Sequence, residues 1–163
     1  MRQPFRLLVT GSRTWDDVRT IEQALAAILA RHPEGVVLVH GGCPRGADAI
    51  AAAYAARTPG YQIEAHPADW QRYGRSAGYR RNAEMIALGA DGCAAFIRGG
   101  SPGSTSAVRL ATAAGIPVWL TRSSYRPGRA DSDGDRNSGR RRQGSASGRS
   151  AYRQSVQAAH FCP

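Results

Sequence analysis

The sequence predicts an α/β domain: a sheet of about five mostly parallel strands with helices on both faces, followed by a disordered C-terminal tail. Three observations carry this. Five short β-like runs alternate with helix-like stretches. Most of these runs are near-continuous in apolar residues, as strands covered on both faces require. Beyond residue 123 the apolar periodicity stops. With 163 residues the chain has room for one domain with a real core, placed at residues 1–123, with the tail at 124–163.

The first strand is read at Phe5 to Thr10. Asp16 or Asp17 then caps a helix whose apolar stripe is Val18, Ile21, Leu25, Ile28 and Leu29, and Pro33 with Gly35 ends it. Val36 to His40 is the second strand. Gly46 to Ala56 is an Ala-rich helix with Ile50 and Tyr54 four apart, stopped by Thr58, Pro59 and Gly60. Tyr61 to His66 is the third strand, and a third helix runs from about Ala77 to Leu88. Cys93 to Ile97 is the fourth strand. A helix from about Ser104 to Ala114, closed by Gly115, leads to the last strand at Ile116 to Leu120.

From Arg122 to Ser150 the composition is almost wholly Arg, Gly, Ser and Asp. Such a segment cannot bury enough surface to offset its chain entropy, so disorder is the expectation. Residues 1–124 carry 14 arginines against 9 acids, and residues 125–163 carry 8 against 3, out of a formal net charge of +10. The Arg140, Arg141, Arg142 run offers weak, non-specific phosphate contact to a nucleic acid, although a charged extension of this kind is ordinarily just solvated. Lysine is absent.

The absence of an 18-residue apolar run excludes a membrane helix, and the opening residues lack a secretory signal, so a cytoplasmic protein is expected. Cys43, Cys93 and Cys162 are odd in number and widely spaced, which suggests thiols and neither a disulfide framework nor a zinc site. No metal constellation and no cofactor motif is present.

In parallel α/β sheets ligands sit beyond the carboxyl ends of the strands, where helix N-termini direct their free N–H groups. Four loops fall there. In the first, Gly11 allows close backbone approach, Ser12 offers a hydroxyl and Arg13 a guanidinium. In the second, Gly41, Gly42 and Gly46 give a G-x-x-x-x-G spacing, but Ala47 and Asp48 stand where a P-loop has Lys and Ser or Thr. Asp48 favours the helix dipole and repels a phosphate placed there, so it reads as a cap or a partner for a sugar hydroxyl. An ATPase is therefore a poor reading, and no G-x-G-x-x-G follows the first strand as a nicotinamide dehydrogenase requires.

The third loop sets Asp69, Trp70, Tyr73 and Tyr79 among Arg72, Arg75, Arg80 and Arg81. Trp70 and Tyr73, taken singly, read as loop packing; Arg81 and Asn82, near a helix start, face the rim of the glycine loops. The fourth, R-G-G-S-P-G-S-T, brings Gly99, Gly100 and Gly103 as a nest, with Ser104 and Thr105 as hydroxyl donors and helix caps. His40 and His66 end strands on this rim, where a lone histidine is ordinarily a satisfied core residue.

The series GSRTW (11–15), HGGCPRGADAIA (40–51), PADW (67–70), G-x-x-AGYRRNAEM (74–85), GGSPGST (99–105) and GIPVW (115–119) resembles, in order and spacing, the YspA and cpYpsA-related branch of the SLOG superfamily over residues 5 to about 121. The resemblance implies a Rossmann-like domain that binds nucleotides or nucleotide-derived ligands, related to the LOG phosphoribohydrolases and to the DprA DNA-processing proteins. In LOG enzymes an R-K-x-x-M segment supplies an active arginine, and P-G-G-x-G-T-x-x-E a phosphate cradle and a catalytic glutamate. Here Arg81, Asn82 and Met85 follow the first pattern, with Asn in place of Lys; Gly103 and Ser104 hold the Gly-Thr positions, and Ala107 stands where the glutamate would be.

The cradle is kept and the acid is missing, so glycosidic hydrolysis needs Arg81 with an acid from another loop, Asp48, Asp69 or Glu84. The expected activity is recognition of a phosphorylated nucleotide-like small molecule by Gly11, Ser12, Arg13, Gly41, Gly42, Asp48, Arg81, Asn82, Gly103, Ser104 and Thr105. LOG-like nucleoside 5'-monophosphate hydrolysis, with Arg81 and Asp69 as its catalytic candidates, and DprA-like single-strand binding are the alternatives. Relatives of this fold often pair through helices, which makes a homodimer an expectation of the resemblance.

Overall fold

The computed structural model describes residues 2–123. The expectations for 124–163, including the Arg140–Arg142 run and Cys162, lie outside the described residues. The elements are β1 (Phe5–Gly11), α1 (Val18–Arg31), β2 (Val36–His40), α2 (Ala47–Arg57), β3 (Tyr61–Ala65), a short α3 (Trp70–Tyr73) with a 3-10 turn at Gly74–Ser76, α4 (Ala77–Ala87), β4 (Gly92–Arg98), α5 (Pro102–Ala113) and β5 (Val118–Ser123).

All five strands pair in parallel in the order β3-β2-β1-β4-β5. This is a Rossmann-like sheet, and the strand order reverses between β1 and β4. Side chains alternate across it, so successive residues feed different cores. Leu7 and Val9 of β1 join Leu38, Ala94 and Phe96 under α1 and α2, where Ile21, Leu25, Ala47, Ala51 and Ala55 close the layer. Leu8, Val39 and Cys93 face the other way, against Met85 and Ile86 of α4 and Ala111 of α5. β4 is buried along its whole length, whereas β3 and β5 are half-exposed edges.

Several boundaries differ from the sequence reading for physical reasons. Asp17, not Asp16, caps α1: its Oδ1 accepts from Thr20 N at 3.0 Å and its Oδ2 from Thr20 Oγ1 at 2.6 Å. α5 begins at Pro102 with Ser101 as its N-cap, so Ser104 and Thr105 lie inside its first turn and do not cap it. A proline at the first helical position has the required φ and no N–H to leave unpaired. Ile116 belongs to the core beneath α4 and α5 but precedes β5, which runs on to Ser123. Among the described residues no helix is long and apolar enough to cross a membrane.

Candidate functional site

The reversal of strand order leaves a crevice at the carboxyl ends of β1 and β4, where neighbouring connections run to opposite faces of the sheet. A cleft of about 340 Å³ opens there, within the range of small-molecule sites. Residues 9–14 form one part of its wall and residues 100–104 another, with Gly41, Cys43 and Asp48 from the β2–α2 connection and Arg81, Asn82 and Met85 from α4.

Two polar fastenings hold these loops together. The first is centred on Ser12, which is buried at the end of β1. Its Oγ accepts from Arg98 N at 2.9 Å and donates to Arg98 O at 3.2 Å. The hydroxyl's one proton is therefore engaged within the protein. The Arg98 guanidinium donates to Thr14 O at 2.8 Å and to Asp16 Oδ1, and lies over the Trp15 ring. Arg98, which the sequence reading passed over, thus strings the 12–16 loop along the end of β4.

The second fastening runs through Arg81. Its Nη1 donates to the carbonyl of Gly41 and, at 3.1 Å, to that of His66; its Nε donates to Asn82 Oδ1 at 2.9 Å. Asn82 passes the link on, with Nδ2 donating to Gly103 O at 3.2 Å. The ends of β2 and β3, the middle of α4 and the start of α5 are thereby tied into one frame. Nη2 of Arg81 makes no protein hydrogen bond among the described residues and sits in a side chain that borders the cleft. Burial lowers the pKa of this guanidinium, and Asp48 opposes that effect, yet an arginine remains a cation at any ordinary pH.

The glycines serve close packing. A Cβ at Gly11 would collide with Ala47 Cβ and Phe96 O, and one at Gly41 would strike the Arg81 guanidinium. The closeness predicted for Gly11 includes an approach to Ala47 and Phe96 of the protein itself.

Of the two helices that start at the cleft, α2 is occupied at its N-terminus. Ala47 N donates to Ser12 O at 3.3 Å, and the Asp48 carboxylate accepts from Cys43 N at 3.4 Å. α5 differs: Ser101 makes no side-chain bond to its first-turn amides, and its hydroxyl donates to Ser104 Oγ at 2.9 Å. The N–H groups of Gly103 and Ser104 precede the reach of the intrahelical ladder and stand at the cleft.

The sequence-predicted residues separate clearly. Gly11, Ser12, Arg13, Gly41, Asp48, Arg81, Asn82, Gly103 and Ser104 are brought to one cleft. Gly42, Thr105 and Asp69 are not part of its lining. Asp69 is exposed and accepts from Arg72 N at 3.0 Å as the N-cap of α3, and Glu84 is exposed on α4. Ala107 is fully buried, so no carboxylate enters from that position. Arg13 is exposed, its guanidinium 5.6 Å from the centre of the Trp70 ring. His40 is buried and its Nδ1 accepts from Gly42 N at 3.1 Å; His66 pairs with Glu64 at 2.7 Å.

A family model for the YspA, cpYpsA-related SLOG family matches residues 5–73, the span of β1 through α3. The Gene 61 protein of Mycobacterium phage D29 is 50% identical over 117 residues, covering 69% of this chain and 93% of that protein. The chain belongs to the YspA, cpYpsA-related SLOG family. Membership suggests a nucleotide-related ligand in general. Among solved structures, the C-terminal domain of a hydrogenase from Pyrococcus furiosus is similar at 14% identity and a TM-score of 0.38, covering 74% of this chain and 92% of that one. That likeness is too distant to bear on this SLOG domain's function.

Proposed function

We propose that this SLOG domain binds a phosphorylated nucleotide-like ligand, with the phosphate at the start of α5. The observation that carries the reading is the uncapped N-terminus of α5 on a cleft that Arg13 and Arg81 also line. Backbone amides at a helix start, the helix dipole and a guanidinium all favour an anion. The α2 terminus is a poorer seat because Ser12 O takes the Ala47 amide and the Asp48 carboxylate sets a negative charge in its first turn. LOG-type hydrolysis fits less well, because Ala107 is buried and Asp69 and Glu84 stand away from the cleft, which leaves Asp48 alone of the substitute acids on its lining.

Thermal-shift measurements with nucleoside monophosphates, ADP-ribose and cyclic nucleotides test this, since a ligand that binds only the folded state raises the melting temperature. At least one class should stabilise the protein. Arg13→Gln should reduce that stabilisation while leaving the unliganded melting temperature unchanged, because the Arg13 side chain is exposed and among the described residues its one contact is with the Trp70 ring. Absence of a shift with every compound would refute the reading.

A further inference from the structure

Asp48 is the one acidic side chain among the described residues that line the cleft. It stands in the first turn of α2, is only 7% exposed, and is poorly served by its own protein. Cys43 N donates to Oδ2 at 3.4 Å, near the outer limit of a hydrogen bond, and the Gly41 amide assists. No side-chain donor reaches it among the described residues; Arg81 and His40 act on it through space. A carboxylate has about four acceptor sites, and a buried anion left short of donors is costly. Desolvation raises its pKa accordingly.

The rest of the polar lining is rich in donors: Arg13, Arg81 and the first amides of α5. A ligand that suits the whole cleft must therefore present an anion to the donors and hydroxyl donors to the one carboxylate. A phosphate cannot satisfy Asp48, and an apolar or purely aromatic moiety leaves it stranded. A ribose 5-phosphate unit carries both kinds of group on one small frame, its vicinal hydroxyls on the opposite side of the ring from the phosphate-bearing arm's attachment.

Resting on the reading above, we infer that Asp48 accepts hydrogen bonds from the vicinal hydroxyls of the ligand's ribose and makes the cleft selective for ribose over 2-deoxyribose. The selectivity follows from what happens when a hydroxyl is missing. A site built to bond a hydroxyl rejects the analogue that lacks it, because a buried polar group is then left unpaired. A hydrogen bond to a charged acceptor corresponds to a preference of about 10- to 100-fold.

The test is isothermal titration of the full chain with AMP, 2'-deoxyAMP, ribose 5-phosphate and 2-deoxyribose 5-phosphate, for the native protein and for Asp48→Asn. The carboxamide keeps an oxygen for the Cys43 amide but loses the charge and half the acceptor capacity. The native protein should prefer each ribo compound by about 10- to 100-fold, and Asp48→Asn should narrow that ratio to less than about threefold, the span of the ordinary context dependence of a single contact. A carboxylate that only folds the 41–46 loop would weaken all four ligands together and leave the ratio intact, which would overturn the inference. If Asp48→Asn fails to fold, the native ratio decides: a value near one overturns it. Binding with no sugar preference defeats this inference alone, whereas no binding by any of the four defeats the phosphate reading and this one with it.

Discussion

Ser12 and Arg98 are hydrogen-bonded in both directions, Arg98 N–H to Ser12 Oγ at 2.9 Å and Ser12 Oγ–H to Arg98 C=O at 3.2 Å. A single hydroxyl thereby joins the end of β1 to the end of β4 at the point where the strand order reverses. The Arg98 side chain extends the joint to Thr14 and Asp16. Ser12→Ala removes both bonds at a buried site, a loss of about 1–3 kcal/mol. Urea denaturation should show a lower midpoint with an unchanged slope.

Arg81 is both part of the frame and part of the lining, and two substitutions separate the roles. Arg81→Ala leaves the carbonyls of Gly41 and His66 and the Asn82 amide oxygen short of a donor, so the unliganded protein should lose about 1–3 kcal/mol. Arg81→Lys keeps one cation but cannot span three acceptors with a planar fork. It should recover part of the nucleotide-induced thermal shift and little of the lost stability. Equal stability of Arg81→Lys and the native protein in urea would contradict the bridging role.

Much of the fold was legible because the signals were local. An Asp16–Asp17 pair before the Ile21, Leu25 and Ile28 stripe marks α1, and the unbroken apolar run Leu7, Leu8 and Val9 reflects a strand packed on both faces. α5 was read two residues late because the glycines at 99, 100 and 103 look like turn formers, whereas Ser101-Pro102 is the true helix start. The four-residue α3 has too short a stripe to carry a period. At the site, the convergence of glycines and arginines was visible, but the roles of Ser12 and Asp69 were not: a hydroxyl that bonds the backbone 86 residues away has no sequence signature. Arg98 was missed for the same reason, since an arginine ending an apolar strand reads as exposed until its partners Thr14 and Asp16 are known.

The Arg6–Glu64 pair should make stability depend on acid. Arg6 donates from both terminal nitrogens, at 2.8 and 2.9 Å, and His66 adds a bond at 2.7 Å. Arg6 first, then His66, holds the Glu64 carboxyl down at about 2, against an ordinary value of 4.5. The folded state therefore binds the proton less readily than the unfolded state, so this contribution is complete above pH 4.5 and is lost as pH falls towards 2. Both side chains are about a third exposed, so the effect is limited to about 1 kcal/mol. Urea midpoints measured from pH 6 to pH 2.5 should fall less steeply in Glu64→Gln than in the native protein.

His40 should resist protonation. Burial is the leading cause, Arg81 and His66 add to it, and Asp48 opposes it; together they hold the imidazole below its ordinary value of 6.5. The neutral ring is also what the geometry needs, because Nδ1 accepts the Gly42 N–H. In the unfolded chain the ring takes its proton near pH 6.5, so stability declines as pH drops below that value. NMR titration should place the His40 ring midpoint below 6.5, and a midpoint at or above it would contradict the assignment of Nδ1 as acceptor.

Gly46 is the residue on which α2 turns away from the cleft. It is the N-cap of α2 with φ of 72° and ψ of −147°, a region that is essentially reserved for glycine. A Cβ there would also press on the backbone of the first loop, reaching Ser12 O and lying 2.6 Å from Arg13 Cα and 2.7 Å from its carbonyl carbon. Backbone has no rotamer by which to give way, so the strain and the clash add. Gly46→Ala should lose more than the about 1–3 kcal/mol of backbone strain alone, and it should disturb Ser12 and Ala47, whose bond at 3.3 Å lies against Gly46. Gly100→Ala is the matched comparison: nothing lies within 4 Å of its Cβ position and its φ is ordinary, so its denaturation midpoint should stay close to that of the native protein. Similar midpoints for the two variants would show that the β2–α2 turn yields more readily than its packing against Ser12 and Arg13 implies.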